Sequence, residues 1–256
     1  MTGATSGMGL AFAREFAQRG HRVLAIARRR DRLEGLATDA AEEGGSVTAL
    51  AADLGTAEGL RLAVARITAL DKIDLLINNA GIATSGDFQG SSLEQELSAI
   101  RLNIDAVMTL THATLRQMLR SRSGAIINVA SVVAFQPFPH FAVYAASKAF
   151  VLSFTEALAE EVKSSGVRIV ALCPGAAKTE MNVFSHNAGL LGKLPSLTAD
   201  QIVRAALQAV EHGRVVKIVG WLNRMLVFQN RFMPRAAVRW VMGFVAKPPL
   251  PSSAPR

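Results

Sequence analysis

The sequence predicts one doubly wound α/β domain, a parallel sheet layered between helices, and three observations carry that reading. Short apolar runs alternate with longer amphipathic stretches, the pattern of βα units. Most of the short runs lack polar alternation, as in strands covered on both faces. The chain has 256 residues, 50% hydrophobic and 19% charged, which is enough for one large core and excludes general disorder.

Six strands are expected, over 23–27, 47–51, 74–78, 125–129, 167–173 and 215–219. The helix 10–19 comes first and stops at Gly20, a residue suited to a helix C-terminus. Helices over 31–43 and 57–70 follow, then a long one from about 92 to 119, then 144–165 and 200–212. The last opens with Thr198-Ala-Asp-Gln201, the spacing of a capping box. After Gly220 the composition shifts to Trp, Phe, Met and Arg. Residues 1–220 therefore read as a dinucleotide-binding catalytic domain, 221–247 as a basic amphipathic helical extension and 248–256 as a disordered tail.

Charge is distributed unevenly. The chain carries 28 Lys+Arg against 20 Asp+Glu, a net +8, and no acid stands between His212 and Arg256. Eight basic residues in that stretch account for the whole excess, so the body is neutral and lacks the basic reading face of a nucleic-acid-binding domain. The one cysteine, Cys173, excludes an internal disulfide and reads as core filler, while His140 and His186 are too isolated to hold a metal. Met1 is followed at once by a glycine-rich turn rather than a signal sequence, and no apolar run approaches the ~20 residues of a spanning helix. The expected location is cytoplasmic, with or without contact to a membrane surface.

Thr2-Gly3-Ala4-Thr5-Ser6-Gly7-Met8-Gly9 stands directly before the first helix. Glycines at 3, 7 and 9 permit a tight turn, close approach of a pyrophosphate to the backbone and close helix packing, with the helix amides aimed at the anion. Arg28-Arg29-Arg30 ends the next strand, 19 residues beyond Gly9. An acid there would take the ribose hydroxyl of NAD; arginine favours the 2′-phosphate of NADP. The competing reading of the Arg run is a solvated helix start.

Asn78-Asn79-Ala80-Gly81 closes the third strand. Tyr144 is the only tyrosine, and Lys148 lies one helical turn beyond it on the same face. A free phenol has a pKa of about 10, and a nearby ammonium favours the phenolate. Ser131, 13 residues before Tyr144, stands where it can hydrogen-bond the same substrate oxygen.

Thr-Gly-x-x-x-Gly-x-Gly, Asn-Asn-Ala-Gly, Ser, Tyr-x-x-x-Lys and Pro174-Gly175 occur in the order and at the spacing of the short-chain dehydrogenase/reductase family, and residues 2–220 resemble it in its NADP-preferring form. The resemblance implies a Rossmann-type domain with Tyr144 as general acid/base. Lys148 would bind the nicotinamide ribose and lower the tyrosine pKa, and Ser131 would polarise the carbonyl. Asn103 matches the asparagine that holds a water in the proton relay. Gly3, Thr5, Ser6, Gly7, Met8 and Gly9 would cradle the pyrophosphate, with Arg28 and Arg29 at the 2′-phosphate. Asp53 and Leu54 match the adenine contact; Asn79, Ala80, Gly81, Pro174 and Gly175 line the rest of the cofactor site. Thr179 matches the residue bonding the carboxamide. A homodimer or homotetramer is expected, and no metal.

The family also places a buried apolar strand of about five residues before the Thr-Gly, at the centre of the sheet, whereas this sequence opens Met1-Thr2. Apolar residues encoded in frame upstream of Met1 are the expectation, since two unpaired central edges would cost much of a domain's stability.

In the family the two segments holding Val132, Val133, Phe135, Pro137, Phe138, Pro139 and Phe141, and Met181, Val183, Phe184, Leu190 and Leu191, flank the substrate, so the resemblance implies a hydrophobic ketone, aldehyde or secondary alcohol. In the extension Arg224, Arg231, Arg235 and Arg239 share one face of an ideal helix, and Pro234 is expected to split it in two. A membrane-interface helix and a cap packed on the domain or on a second subunit are the two readings. For the whole chain, an NADP(H)-dependent oxidoreductase is the leading reading. A catalytically silent nucleotide-binding or interaction protein is the alternative; the complete Ser131, Tyr144 and Lys148 set opposes it and the absent first strand favours it.

Overall fold

The structure, a computed structural model, describes residues 1–176 and 196–246. Thr179, His186, the apolar segment 181–191 and the tail 248–256 lie outside the described residues.

The strands β1 (Arg22–Ala27), β2 (Ser46–Ala51), β3 (Leu75–Asn78), β4 (Gly124–Val129), β5 (Val167–Cys173) and β6 (Val216–Ile218) are parallel wherever they pair. They alternate with α1 (Gly7–Gln18), α2 (Arg30–Glu42), α3 (Ala57–Thr68), α4 (Leu93–Ile100), α5 (Ala106–Ser121), α6 (Ala142–Glu161) and α7 (Ala199–Glu211). Each expected strand, and each expected helix but that over 92–119, is present within a few residues. The capping box at Thr198 and Gln201 closes in both directions.

The order is β3-β4-β5-β6 in one sheet and β1-β2 in another. Leu76, Ile126 and Ile169 point to one face, into a core with Leu110, Met118 and Ala159. Ile77, Ile127 and Val170 point to the other, against Phe12 of α1 and Ile202 and Ala206 of α7. The period of two along each strand thus feeds two cores, which is why these runs carry no polar alternation. β2 and β6 are the exceptions: each lies at an edge, and none of their residues is fully buried.

Between β1 and β3, where the sequence reading places a further strand, Met1–Gly3 joins the two sheets among the described residues, at their C-terminal ends. The Met1 amine donates to the Leu24 carbonyl at 3.0 Å, and Ile26 N–H donates back to Met1. On the other side Thr2 N–H donates to the Ile77 carbonyl at 3.0 Å, and Thr2 Oγ1 accepts from the N–H groups of Asn79 and Ala80 at 3.0 Å. These bonds seat the glycine-rich turn that follows.

Two expectations are corrected. The long helix over 92–119 is interrupted: a π-helical turn spans Arg101–Asp105 between α4 and α5. The inserted residue rotates Asn103 into the interior, where it is fully buried. The four tail arginines do not share one helical face, because the chain forms α8 (Trp221–Gln229) and α9 (Arg235–Val245) with a break at 230–234. Pro234 occupies the cap position of α9, as its fixed φ and missing N–H require.

Candidate active site

The glycine-rich turn, the ends of β1 and β3 and the loop after β2 enclose a cleft of about 350 Å³. Its lining includes Gly3, Thr5, Ser6, Gly7, Met8, Arg28, Arg29, Asp53, Leu54, Asn79, Ala80 and Gly81. Twelve residues singled out in the sequence thus meet around one cavity, with Ile26, Ala52, Ile82 and Leu102 as its apolar walls.

Gly9 does not line the cleft. A Cβ on it would lie 2.0 Å from the Gly3 carbonyl oxygen, so the glycine lets α1 press against the turn. α1 has no acidic residue in its first turn, and its Ser6 cap side chain accepts no amide. Its leading N–H groups are therefore left for an anion, whereas α3 and α4 have side-chain caps and acids at the same place.

The three arginines differ. Arg29 Nη2 donates to Thr5 Oγ1 at 3.2 Å, which ties β1 to the glycine-rich turn. Arg28 is exposed at the rim of the cleft. Arg30 faces Glu34 at 3.8 Å on the surface of α2, the solvated helix start that the sequence also allowed. The Asn79 side chain donates to the Thr2 carbonyl at 3.1 Å, and Asp53 Oδ1 accepts from Gly55 N–H at 3.0 Å. Both side chains brace loops as well as lining the cavity.

Beyond Gly81 the cleft adjoins a second group of polar residues. A Cβ on Gly81 would lie 3.0 Å from Asn103 Oδ1 and 3.5 Å from Lys148 Nζ. Asn103 Oδ1 accepts from Ile82 N–H at 3.0 Å, while its Nδ2 donates to the Ile82 carbonyl at 2.8 Å and to Ser147 Oγ at 3.0 Å. Ser131 ends the strand segment after β4, and its hydroxyl bonds the Tyr144 phenol. Lys148 Nζ sits 5.9 Å from the centre of the Tyr144 ring and donates to the Val129 carbonyl at 2.8 Å. All four of Asn103, Ser131, Tyr144 and Lys148 are buried. Pro174 accepts from Val132 N–H at 3.1 Å, and Gly175 lies against the Asn223 side chain of α8.

The expected lowering of the tyrosine pKa by Lys148 is not what this environment produces. Burial pushes Tyr144 up to about 12, with the Ser131 hydrogen bond opposing it. Burial also pulls Lys148 down to about 8. Loss of water disfavours the charged form of each group. Cys173 is pushed up to about 12 by burial, which keeps its thiol neutral, in accord with a core role.

Sequence reasoning missed three supports. Thr2 anchors the turn through its hydroxyl, as described above. Ser147 holds the Asn103 amide. A buried ladder crosses the sheet: Asn78 Nδ2 donates to Asn128 Oδ1 at 2.9 Å, and Asn128 Nδ2 to Thr155 Oγ1 at 3.0 Å. The two asparagines at strand ends were the only signal for it. Val133, Phe138 and Phe141, expected beside the substrate, are buried in a cluster with Tyr144 and Ala246, so much of that loop is core. Among the described residues no group of acids, histidines and cysteine is placed to hold a metal.

A short chain dehydrogenase family model matches residues 1–189. A short chain dehydrogenase of Pseudocercospora fijiensis is 38% identical over 184 residues, a match covering 71% of this chain and 60% of that protein. Among solved structures, a short-chain dehydrogenase from Sphingobium yanoikuyae in complex with NADPH superposes with a TM-score of 0.80 at 32% identity, covering 100% of this chain and 97% of that one. The bulky-bulky ketone specific alcohol dehydrogenase from Comamonas testosteroni gives a TM-score of 0.78 at 29% identity, covering 91% and 90%. The family model spans well over half of the chain, and the chain belongs to the short chain dehydrogenase family.

Proposed function

We propose that the protein interconverts a hydrophobic ketone or aldehyde and its alcohol with NADP(H), Tyr144 transferring the proton. The observation that carries this is the burial of Ser131, Tyr144, Lys148 and Asn103 beside the inner end of the cleft at Gly81.

The residues present fit a dinucleotide. The cleft begins at helix amides without a side-chain cap, where no Cβ could stand on Gly9, and it passes Asp53 and Leu54 on its way to Gly81. Ser6, Gly7 and Met8 would hold the pyrophosphate, and Lys148 and Asn79–Gly81 the nicotinamide ribose, with Pro174 and Gly175 beyond them. The bound nicotinamide supplies or accepts hydride.

A phenol held up at about 12 remains protonated at neutral pH, so Tyr144 serves reduction as a proton donor to the carbonyl oxygen. Ser131, bonded to the phenol, is placed to polarise the same oxygen and strengthen the donor's alignment. Lys148 is a cation below about pH 8 and favours negative charge developing on the tyrosine oxygen as the proton leaves. Asn103 holds the backbone at Ile82 beside Lys148 and is placed to order a water that returns the proton.

The preference for the phosphorylated cofactor rests on Arg28 and Arg29 at the rim, the place after β1 where an acid would take the ribose hydroxyls of NAD. An apolar substrate is supported by likeness to a dehydrogenase specific for bulky ketones. The test follows NADPH absorbance with a panel of carbonyl compounds graded in size and polarity. Bulky apolar ketones should be turned over, and a preference for sugars or hydroxy acids would refute the substrate class.

A further inference from the structure

The helices α8 and α9 carry apolar side chains on the face that an ordinary surface helix gives to polar ones. No residue of α8 is fully buried, and of α9 only Val238 is. Trp221, Met225 and Phe228 follow at helical spacing on α8 and are mostly exposed, and Phe232 continues the row at 74%. On α9, Trp240 and Phe244, one turn apart, are 76% and 75% exposed, while Val238, Met242 and Ala246 take the inward side. In each helix exposed arginine flanks the exposed row: Arg224 on α8, Arg235 and Arg239 on α9. No acid occurs anywhere in the sequence from 212 onward.

From this surface we infer that α8 and α9 form a docking face for an anionic lipid bilayer. Aromatic side chains enter the headgroup and acyl boundary, and arginines beside them meet lipid phosphates. The charge pattern selects this occupant. A second copy of the chain would set the arginines of α8 and α9 against the same arginines, with Glu156 of α6 the one acid lining the groove beside α8, and a simple cap would turn Trp240 and Phe244 inward rather than Val238 and Ala246. Met242 and Ala246 pack against the segment before Tyr144, and Gly243 approaches Pro139. The docked face therefore lies over the substrate side of the proposed site, which suits a carbonyl compound dissolved in the bilayer; docking itself does not depend on the reductase reading.

The chain has two tryptophans, Trp221 on α8 and Trp240 on α9, both exposed, so intrinsic fluorescence reports docking directly. The full chain is mixed with vesicles of phosphatidylcholine alone or with added phosphatidylglycerol, and blue shift and co-sedimentation are read. Partitioning should be at least tenfold stronger with the anionic lipid and should fall in about 1 M salt, where the Debye length is about 3 Å. Trp240→Ser/Phe244→Ser should lose partitioning tenfold or more while keeping NADPH affinity. Arg235→Gln/Arg239→Gln, which leaves the apolar packing intact, should weaken it by roughly tenfold or more. Equal binding to both vesicles, or none to either, would overturn the inference. A concentration-dependent dimer that the Trp240→Ser/Phe244→Ser variant abolishes, without vesicle binding by the native chain, would give the face to a second copy instead.

Discussion

Lys148 donates its ammonium to the Val129 carbonyl at 2.8 Å from a position almost closed to water. That single bond holds the cation beside Tyr144, and burial sets its pKa at about 8 instead of 10.5. Between those two values the unfolded chain binds a proton that the folded chain lacks. This group's contribution to stability therefore rises with pH across the window and is most unfavourable below about 8.

Lys148→Met should accordingly melt higher than the native chain at pH 7. The gain is about 2 kcal/mol, the cost of burying the charge less the lost hydrogen bond. The difference should narrow as pH rises toward 10. Thermal unfolding of both forms across that range checks it, and a variant that melts lower at pH 7 would mean the Val129 bond outweighs the desolvation.

Arg28 and Arg29 predict different outcomes on replacement by alanine. Arg28 stands exposed at the cleft rim, so Arg28→Ala should weaken NADPH by tenfold to a hundredfold, about 1.5–3 kcal/mol, and leave NADH nearly unchanged. Arg29 also ties down Thr5, so Arg29→Ala should weaken both cofactors and lower the melting temperature. Titration calorimetry with the two cofactors separates the cases, and equal loss for Arg28→Ala would remove it from phosphate recognition.

Gly9→Ala should cost more than an ordinary helix substitution. Its Cβ would meet the Gly3 carbonyl oxygen at 2.0 Å, so the turn must move away from α1. Overpacking of this kind destabilises by about 1–3 kcal/mol and displaces the amides that face the cleft. Loss of NADPH binding at a temperature where the variant is still folded is the expected result. Unchanged affinity would mean that the turn position does not govern the cofactor.

The strands were legible because β3, β4 and β5 are buried on both faces and so wrote continuous apolar runs. The residues around the cleft were legible because backbone approach demands glycine at set spacings, and the chain kept them. What was hidden depends on register or on insertion. The Asn78–Asn128–Thr155 ladder exists only once β3 and β4 pair with Asn78 opposite Asn128. The π-helical turn at Asn103 adds a residue without breaking the apolar period enough to show. The tail arginines share a face only on one ideal helix, and the split expected at Pro234 distributes them over α8, α9 and the break between. The sign of the Tyr144 shift was missed because proximity of Lys148 is visible in the spacing and desolvation of both groups is not.

The central claim is that Tyr144 transfers the proton, and Tyr144→Phe tests it most directly. The variant keeps the ring in its cluster with Phe138 and Phe141 and removes only the hydroxyl bonded to Ser131. With a bulky apolar ketone in a single-turnover NADPH assay, the rate should fall by roughly 10²–10⁴-fold while NADPH affinity stays near that of the native chain. A variant that binds NADPH normally and turns over within tenfold of the native rate would contradict the account.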